Sequence, residues 1–257
     1  MLILQLAPYS DGPVCLPLVK RQPLDNHAHQ HTETHLQSSA LLTDIVIGMS
    51  DGLTVPFALA AGLSGAVSTT NLIIIAGIAE IAAGSIAMGL GGYLAGKTEI
   101  DHYNSELKRE YEEVETVPHK EKEEVKEFFQ NLGLSEEVQQ QAVDEMTKDK
   151  EKWVNFMMKY ELGLDKPDEQ RARKSAFNIG VSYIIGGIIP LSPYFFVNDG
   201  LTGLKISAVI TLCCLFIFGF FKSKITGVQP WWGALRVTLI GAAAAACAFG
   251  IAKLIQS

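Results

Sequence analysis

The chain has 257 residues, of which 48% are hydrophobic, with a formal net charge of −7. Residues 97–174 hold 21 of the 28 Asp and Glu but only 14 of the 21 Lys and Arg, so this one stretch carries the whole net charge and the remainder is apolar. That division excludes a nucleic-acid binder, which needs a basic stripe, and predicts an all-α polytopic membrane protein with one acidic, water-facing insert.

Residues 1–39 open on MLILQLAP, which lacks the basic leader and length of a secretory signal, and continue rich in Pro, His, Gln, Ser and Thr. They read as a disordered tail. His27, His29, His31 and His35 could hold a transition metal, although a plain disordered polar tail is the better explanation of them.

The first predicted span, 40–64, carries Asp44 and Asp51 with no basic residue beside them in sequence. An ionised carboxylate at the centre of a bilayer costs about 2.5–3.5 kcal/mol on insertion scales, so it is kept where a cavity, a cation or a proton compensates it. Seven residues fall roughly 20° short of two helical turns, which puts both acids on one face. Gly48 and Gly52 at GxxxG spacing permit close helix contact, and Pro56 breaks a backbone hydrogen bond mid-span. The second span, 70–96, adds Glu80 and Met88, roughly 80° apart on the helix, and a second GxxxG at Gly92 and Gly96. Carboxylate beside thioether suits a borderline divalent transition metal, Fe²⁺, Mn²⁺, Co²⁺ or Zn²⁺, better than Na⁺, Mg²⁺ or Ca²⁺.

Three helices are predicted in the insert: 98–115 continuing the second span, 118–131 opened by Pro118, and 135–162 started by Ser135 with Glu136 and Glu137 in its first turn. Asn131, Leu132 and Gly133 punctuate the last two. Glu106, Glu110 and Glu113 share one face of the first helix, Glu121 and Glu124 one face of the second, and Met157 and Glu161 stand four apart on the third beside Met158. One such acidic face is ordinarily just solvated. Three of them, with methionines, favour a multinuclear cation site.

Spans three to five are predicted at 176–197, 201–221 and 231–254. Cys213, Cys214 and Cys247 fall within spans, Cys15 in the tail, and with no CxxC pair they indicate packing rather than a thiolate site. Lys20, Arg21, Lys97, Arg171, Arg173, Lys174, Lys222 and Lys224 all lie on one side of a five-span arrangement, whereas the loops 64–70 and 197–201 have no Lys or Arg. The positive-inside rule then places the N-terminus and insert in the cytosol and the C-terminus on the opposite side, outside or lumenal. The domains follow as 1–39 tail, 40–96 first two spans, 97–170 helical insert and 171–257 last three spans.

DGLTVPFA (Asp51 to Ala58), Ala79-Glu80, MGLGGYLA (Met88 to Ala95), the Glu-rich insert, and Phe156-Met157-Met158 followed by Glu161-Leu162-Gly163-Leu164 closely resemble the vacuolar iron transporter family, in its plant-type form with a metal-binding insert. The resemblance covers nearly everything after residue 35. It implies a homodimer of five-span protomers in the vacuolar membrane, exchanging cytosolic Fe²⁺, with Mn²⁺ as a second candidate, for protons, with no prosthetic group and no enzymatic activity. It also implies a translocation path between protomers lined by Asp44, Asp51, Glu80 and Met88. The insert would bind divalent ions through Glu110, Glu113, Glu121, Glu124, Met157, Met158 and Glu161; Glu106 is added from its shared face.

A carboxylate in a low-dielectric site holds either a proton or a cation, and that competition is the minimum needed for exchange. Two other readings compete. Glu99-x-x-His102 is half of a di-iron carboxylate signature, but no second Glu-x-x-His accompanies it. A membrane-anchored metal sensor or store would use the insert alone, yet simple anchors do not need acids inside span one.

Overall fold

A computed structural model describes residues 40–256; the tail, with its histidines and Cys15, lies outside the described residues. In chain order come α1 (Ala40–Ala66), α2 (Thr70–Thr116), α3 (Pro118–Asn131), α4 (Glu136–Met146), α5 (Lys150–Phe156), a π-helical turn (Met157–Glu161), α6 (Arg171–Leu191) with a 3₁₀ turn (Ser192–Phe195), α7 (Gly200–Ile225) and α8 (Pro230–Gln256). The described residues are helical apart from short connections, and their one isolated bridge joins Thr69 to Asp199. Five helices, α1, α2, α6 with its 3₁₀ extension, α7 and α8, are long and apolar enough to cross a membrane. Their outer faces leave large side chains uncovered, Ile86 at 72% and Phe177 at 71% exposure, as a lipid-facing surface does.

α6 is the central post. It packs against both α1 and α2, while α8 covers the other side of α1 and lies along α7. The α1–α6 contact is made without intervening side chains: a β-carbon on Gly52 would stand 2.9 Å from the Tyr183 α-carbon, and one on Gly186 would stand 3.0 Å from the Gly52 carbonyl carbon. Packing at this distance is the use to which GxxxG spacing is suited. Pro56 lies inside α1 without ending it, so the first span stays one continuous helix.

The predicted continuation of the second span into the insert is observed as a single 47-residue helix. It stops at Val117 because Pro118 cannot continue the hydrogen-bond ladder and instead starts α3. Gly133, at φ +80°, makes the expected break after α3. The single helix predicted over 135–162 is a correction: it is three pieces. Thr147 caps α4, and the Asp149 carboxylate restarts the chain by accepting from Glu151 N at 3.0 Å and Lys152 N at 3.2 Å. The periodicity ran through this point, but the local cap outcompeted it. The pieces close over a core that includes Val114, Val125, Val143, Trp153, Val154, Met157 and Met158.

Candidate metal and translocation sites

Two groups of acids occupy different parts of the fold. In the insert, donor oxygens of Glu110, Glu113 and Glu121 all lie within 4.8 Å of one another. Glu110 and Glu113 come from one face of α2 and Glu121 from the first turn of α3, so the sharp turn at Val117 is what assembles them. Glu110 and Glu121 are buried, and Glu110 Oε2 and both Glu121 oxygens have no hydrogen-bond partner. Buried carboxylate oxygens are ordinarily satisfied, because leaving them bare is expensive. Burial first, then the neighbouring Glu124, Glu110 and Glu113 charges, pushes the Glu121 carboxyl up to about 7. Glu161, exposed overall, is also held above its ordinary range by desolvation and by Glu124.

These features fit a divalent cation. Three oxygens each about 2.0–2.2 Å from one ion stand at most roughly 3.5–3.8 Å apart, so this trio closes on one ion if each oxygen moves inward by less than about 1 Å. Met157 and Met158 are each 1% exposed and belong to the same core as Val114 and Val125, which flank the acids in sequence. They sit on the π-helical turn, where Leu162 N reaches Met157 O at 3.1 Å; such turns recur at functional sites. Glu124 is paired with Lys120 at 3.0 Å, and Glu106 with Arg109 at 2.6 Å. Glu106 stands outside the trio whose oxygens converge. Arg109, half exposed, is the cation nearest to it, 3.7 Å from Glu113 and 3.9 Å from Glu110.

The second group lies among the apolar helices. Asp44 is 1% exposed and fully engaged: Arg171 Nη1 donates to Oδ2 at 2.8 Å, Arg171 Nη2 to Oδ1 at 3.2 Å, Ser175 Oγ to Oδ1 at 2.9 Å and Asn178 Nδ2 to Oδ2 at 3.3 Å. Glu80 is arranged differently. The Tyr183 hydroxyl donates to Glu80 Oε1, whereas Oε2 is buried without a partner. Asp51 is half-buried on α1 and makes no hydrogen bond or ion pair among the described residues, so Tyr183 ties α6 to the acid of α2 alone. Met88, two turns after Glu80 on α2, is half-buried.

Arg171, Ser175, Asn178 and Tyr183 are absent from the sequence-based site. Arg171, Ser175 and Asn178, at offsets of four and three, form a polar stripe along α6, and Tyr183, twelve residues after Arg171, stands roughly 120° round the helix from it. That stripe was the available signal. An arginine at the edge of a charged insert reads as ordinary surface charge until the fold places it on Asp44.

The VIT family model matches residues 42–253, from the first turn of α1 to the last turn of α8. This chain belongs to the VIT family. Within the family, the chain is 46% identical over 242 residues to "Vacuolar iron transporter 1" of Oryza sativa subsp. japonica, covering 94% of this chain and 96% of the rice protein. It is 50% identical over 228 residues to "Vacuolar iron transporter 1" of Eucalyptus grandis, covering 89% and 92% of the two. Similarity extends to "Protein CCC1" of Saccharomyces cerevisiae, at 38% over 223 residues, 84% of this chain and 69% of the yeast protein. As a VIT-family member, the chain combines the family's helical bundle with a built cluster of carboxylates in its insert.

Proposed function

We propose that this chain carries Fe²⁺ from the cytosol into the vacuole in exchange for protons, working as a homodimer with the path between protomers. Mn²⁺ is accepted by the same ligand types and is the natural second substrate. The N-terminus and the insert face the cytosol, following the distribution of Lys and Arg. Support for iron as cargo comes from membership of the VIT family and from relatives named for vacuolar iron transport.

The observation that carries the reading is Glu80, an acid within an apolar helix with one oxygen bound by Tyr183 and the other buried and bare. A sensor or store located in the insert has no use for such a group. The insert acids Glu110, Glu113 and Glu121, with Glu124, Glu161, Met157 and Met158 around them, capture the ion at the cytosolic side. Asp51, Glu80 and Met88 then receive it, each carboxylate exchanging a proton for metal, and an acidic lumen returns the protons. Asp44 lines the cytosolic approach and is held by Arg171 until cation arrives.

Reconstitution into liposomes with an acidic interior tests this. Fe²⁺ uptake accompanied by lumenal alkalinisation, both lost in Asp51→Ala, is the expected result. Metal binding without uptake, unchanged by the substitution, would return the function to a store in the insert.

A further inference from the structure

At the end of the bundle where α7 turns into α8 lies a groove of about 1080 Å³, lined by Lys222, Ser223, Gln229, Trp232, Arg236 and Leu239 among others. No part of the proposed transport reaction uses it. Trp231 and Trp232, each 69% exposed, mark this as the level of a membrane interface, where indoles concentrate. Arg236 lies six residues beyond Pro230, so it sits about 9 Å further along the helix axis. It is exposed, and neither Arg236 nor Lys222 has an ion-pair partner among the described residues.

The two cations differ in what explains them. Lys222 and Lys224 occupy the last turn of α7, where the helix dipole favours positive charge. Arg236 lies nearly two turns inside α8, beyond the reach of either helix end, so no helix dipole accounts for its charge. Inside an apolar span such a residue needs an anion. Ser223, Thr226 and Gln229 surround the upper groove with hydrogen-bonding groups, and Leu239 and Ile240 continue it as an apolar wall. Charge and polarity therefore divide along the membrane normal as they do in a phospholipid.

We propose that this groove binds an anionic glycerophospholipid, its phosphate taken by Lys222 and Arg236 and one acyl chain lying along Leu239 and Ile240. Two cations without a carboxylate select a net negative headgroup over a zwitterionic one, whose own ammonium would oppose them. With five alternating crossings, the turn falls at the face of the bundle from which the insert emerges, the leaflet that supplies such lipids when that face is cytosolic. The site requires only that these helices span a bilayer, and stands independently of the transported ion.

The test uses full-length protein, delipidated in neutral detergent and titrated with phosphatidic acid, with phosphatidylcholine of the same chains, and with inorganic phosphate, bound lipid being counted by native mass spectrometry. Saturable binding of phosphatidic acid is expected, weaker by about fivefold in Arg236→Gln and in Lys222→Gln, the loss of one interfacial cation. It should be retained in Arg236→Lys, which guards against misfolding, and in Lys253→Gln at the far end of α8. Equal binding of phosphatidylcholine, or full competition by inorganic phosphate, would overturn the lipid assignment. So would unaltered lipid binding in Arg236→Gln together with a shifted monomer–dimer equilibrium, which would give the groove to a second copy.

Discussion

At the scale of single residues, the two membrane acids on α1 have different standing although they share a helix face. Asp44 is neutralised by a bidentate guanidinium and two further donors, whereas Asp51 has no such partner among the described residues. Removing one member of a buried pair strands the other, at about 3–5 kcal/mol, while removing both is far milder. Arg171→Met should therefore lower the melting temperature markedly, and adding Asp44→Asn should recover most of the loss. Equal melting of the single and double variants would show that the pair is not a unit.

Glu121 yields a prediction in pH. Its ordinary value is 4.5 and its folded value about 7, so between those values the folded chain binds a proton that the unfolded chain has released. Stability from this group is then lost as pH rises from about 4.5 toward 7. In chelator-treated protein, amides of α3 should be less protected at pH 8 than at pH 6 after correction for intrinsic exchange, and Glu121→Gln should reduce the difference, the remainder coming from Glu110, which burial also pushes up to about 7. Greater protection at pH 8 would contradict the burial of an uncompensated carboxyl.

At the scale of elements, helix contact distance decides which substitutions matter. Gly52 meets the Tyr183 backbone, which cannot move aside without displacing α6, while a β-carbon on Gly91 meets nothing within 4 Å. Gly52→Ala should destabilise by about 1–3 kcal/mol through overpacking. Gly91→Ala should be neutral or stabilise by up to about 1 kcal/mol from helix propensity. Thermal unfolding of the two side by side checks both, and a comparable loss in each would mean that the α1–α6 contact is looser than observed. Much of this layer was legible in advance: the glycine spacing announced close packing, and Pro118 and Gly133 announced the bends in the insert. The break at 147–149 was not, because a single capping carboxylate leaves little mark on hydrophobic periodicity. The same holds for the π-helical turn, whose register depends on how Met157 and Met158 enter the core.

At the scale of the whole molecule, the insert and the apolar bundle should answer differently to metal. Metal at one hundred times its Kd contributes about 2.7 kcal/mol to the state that binds it. Adding chelator to the Fe²⁺-loaded protein should therefore raise exchange in α3 and around Met157, leave α7 and α8 unchanged, and have no effect on Glu121→Gln. Uniform loosening of every helix would place the stabilising ion elsewhere.

By itself, the sequence determined the number and extent of the apolar helices, the acidic character of the insert and the residue types available as ligands. These depend on composition and on short-range periodicity, which are properties of neighbouring positions. Only the tertiary structure decided which acids are balanced and which are bare. Arg171 reaches Asp44 across 127 positions, and Tyr183 reaches Glu80 across 103. The folding of α3 back on α2 gathers Glu110, Glu113 and Glu121 within 4.8 Å. A charge is defined by its surroundings, and for a buried charge those surroundings come from helices distant in the chain.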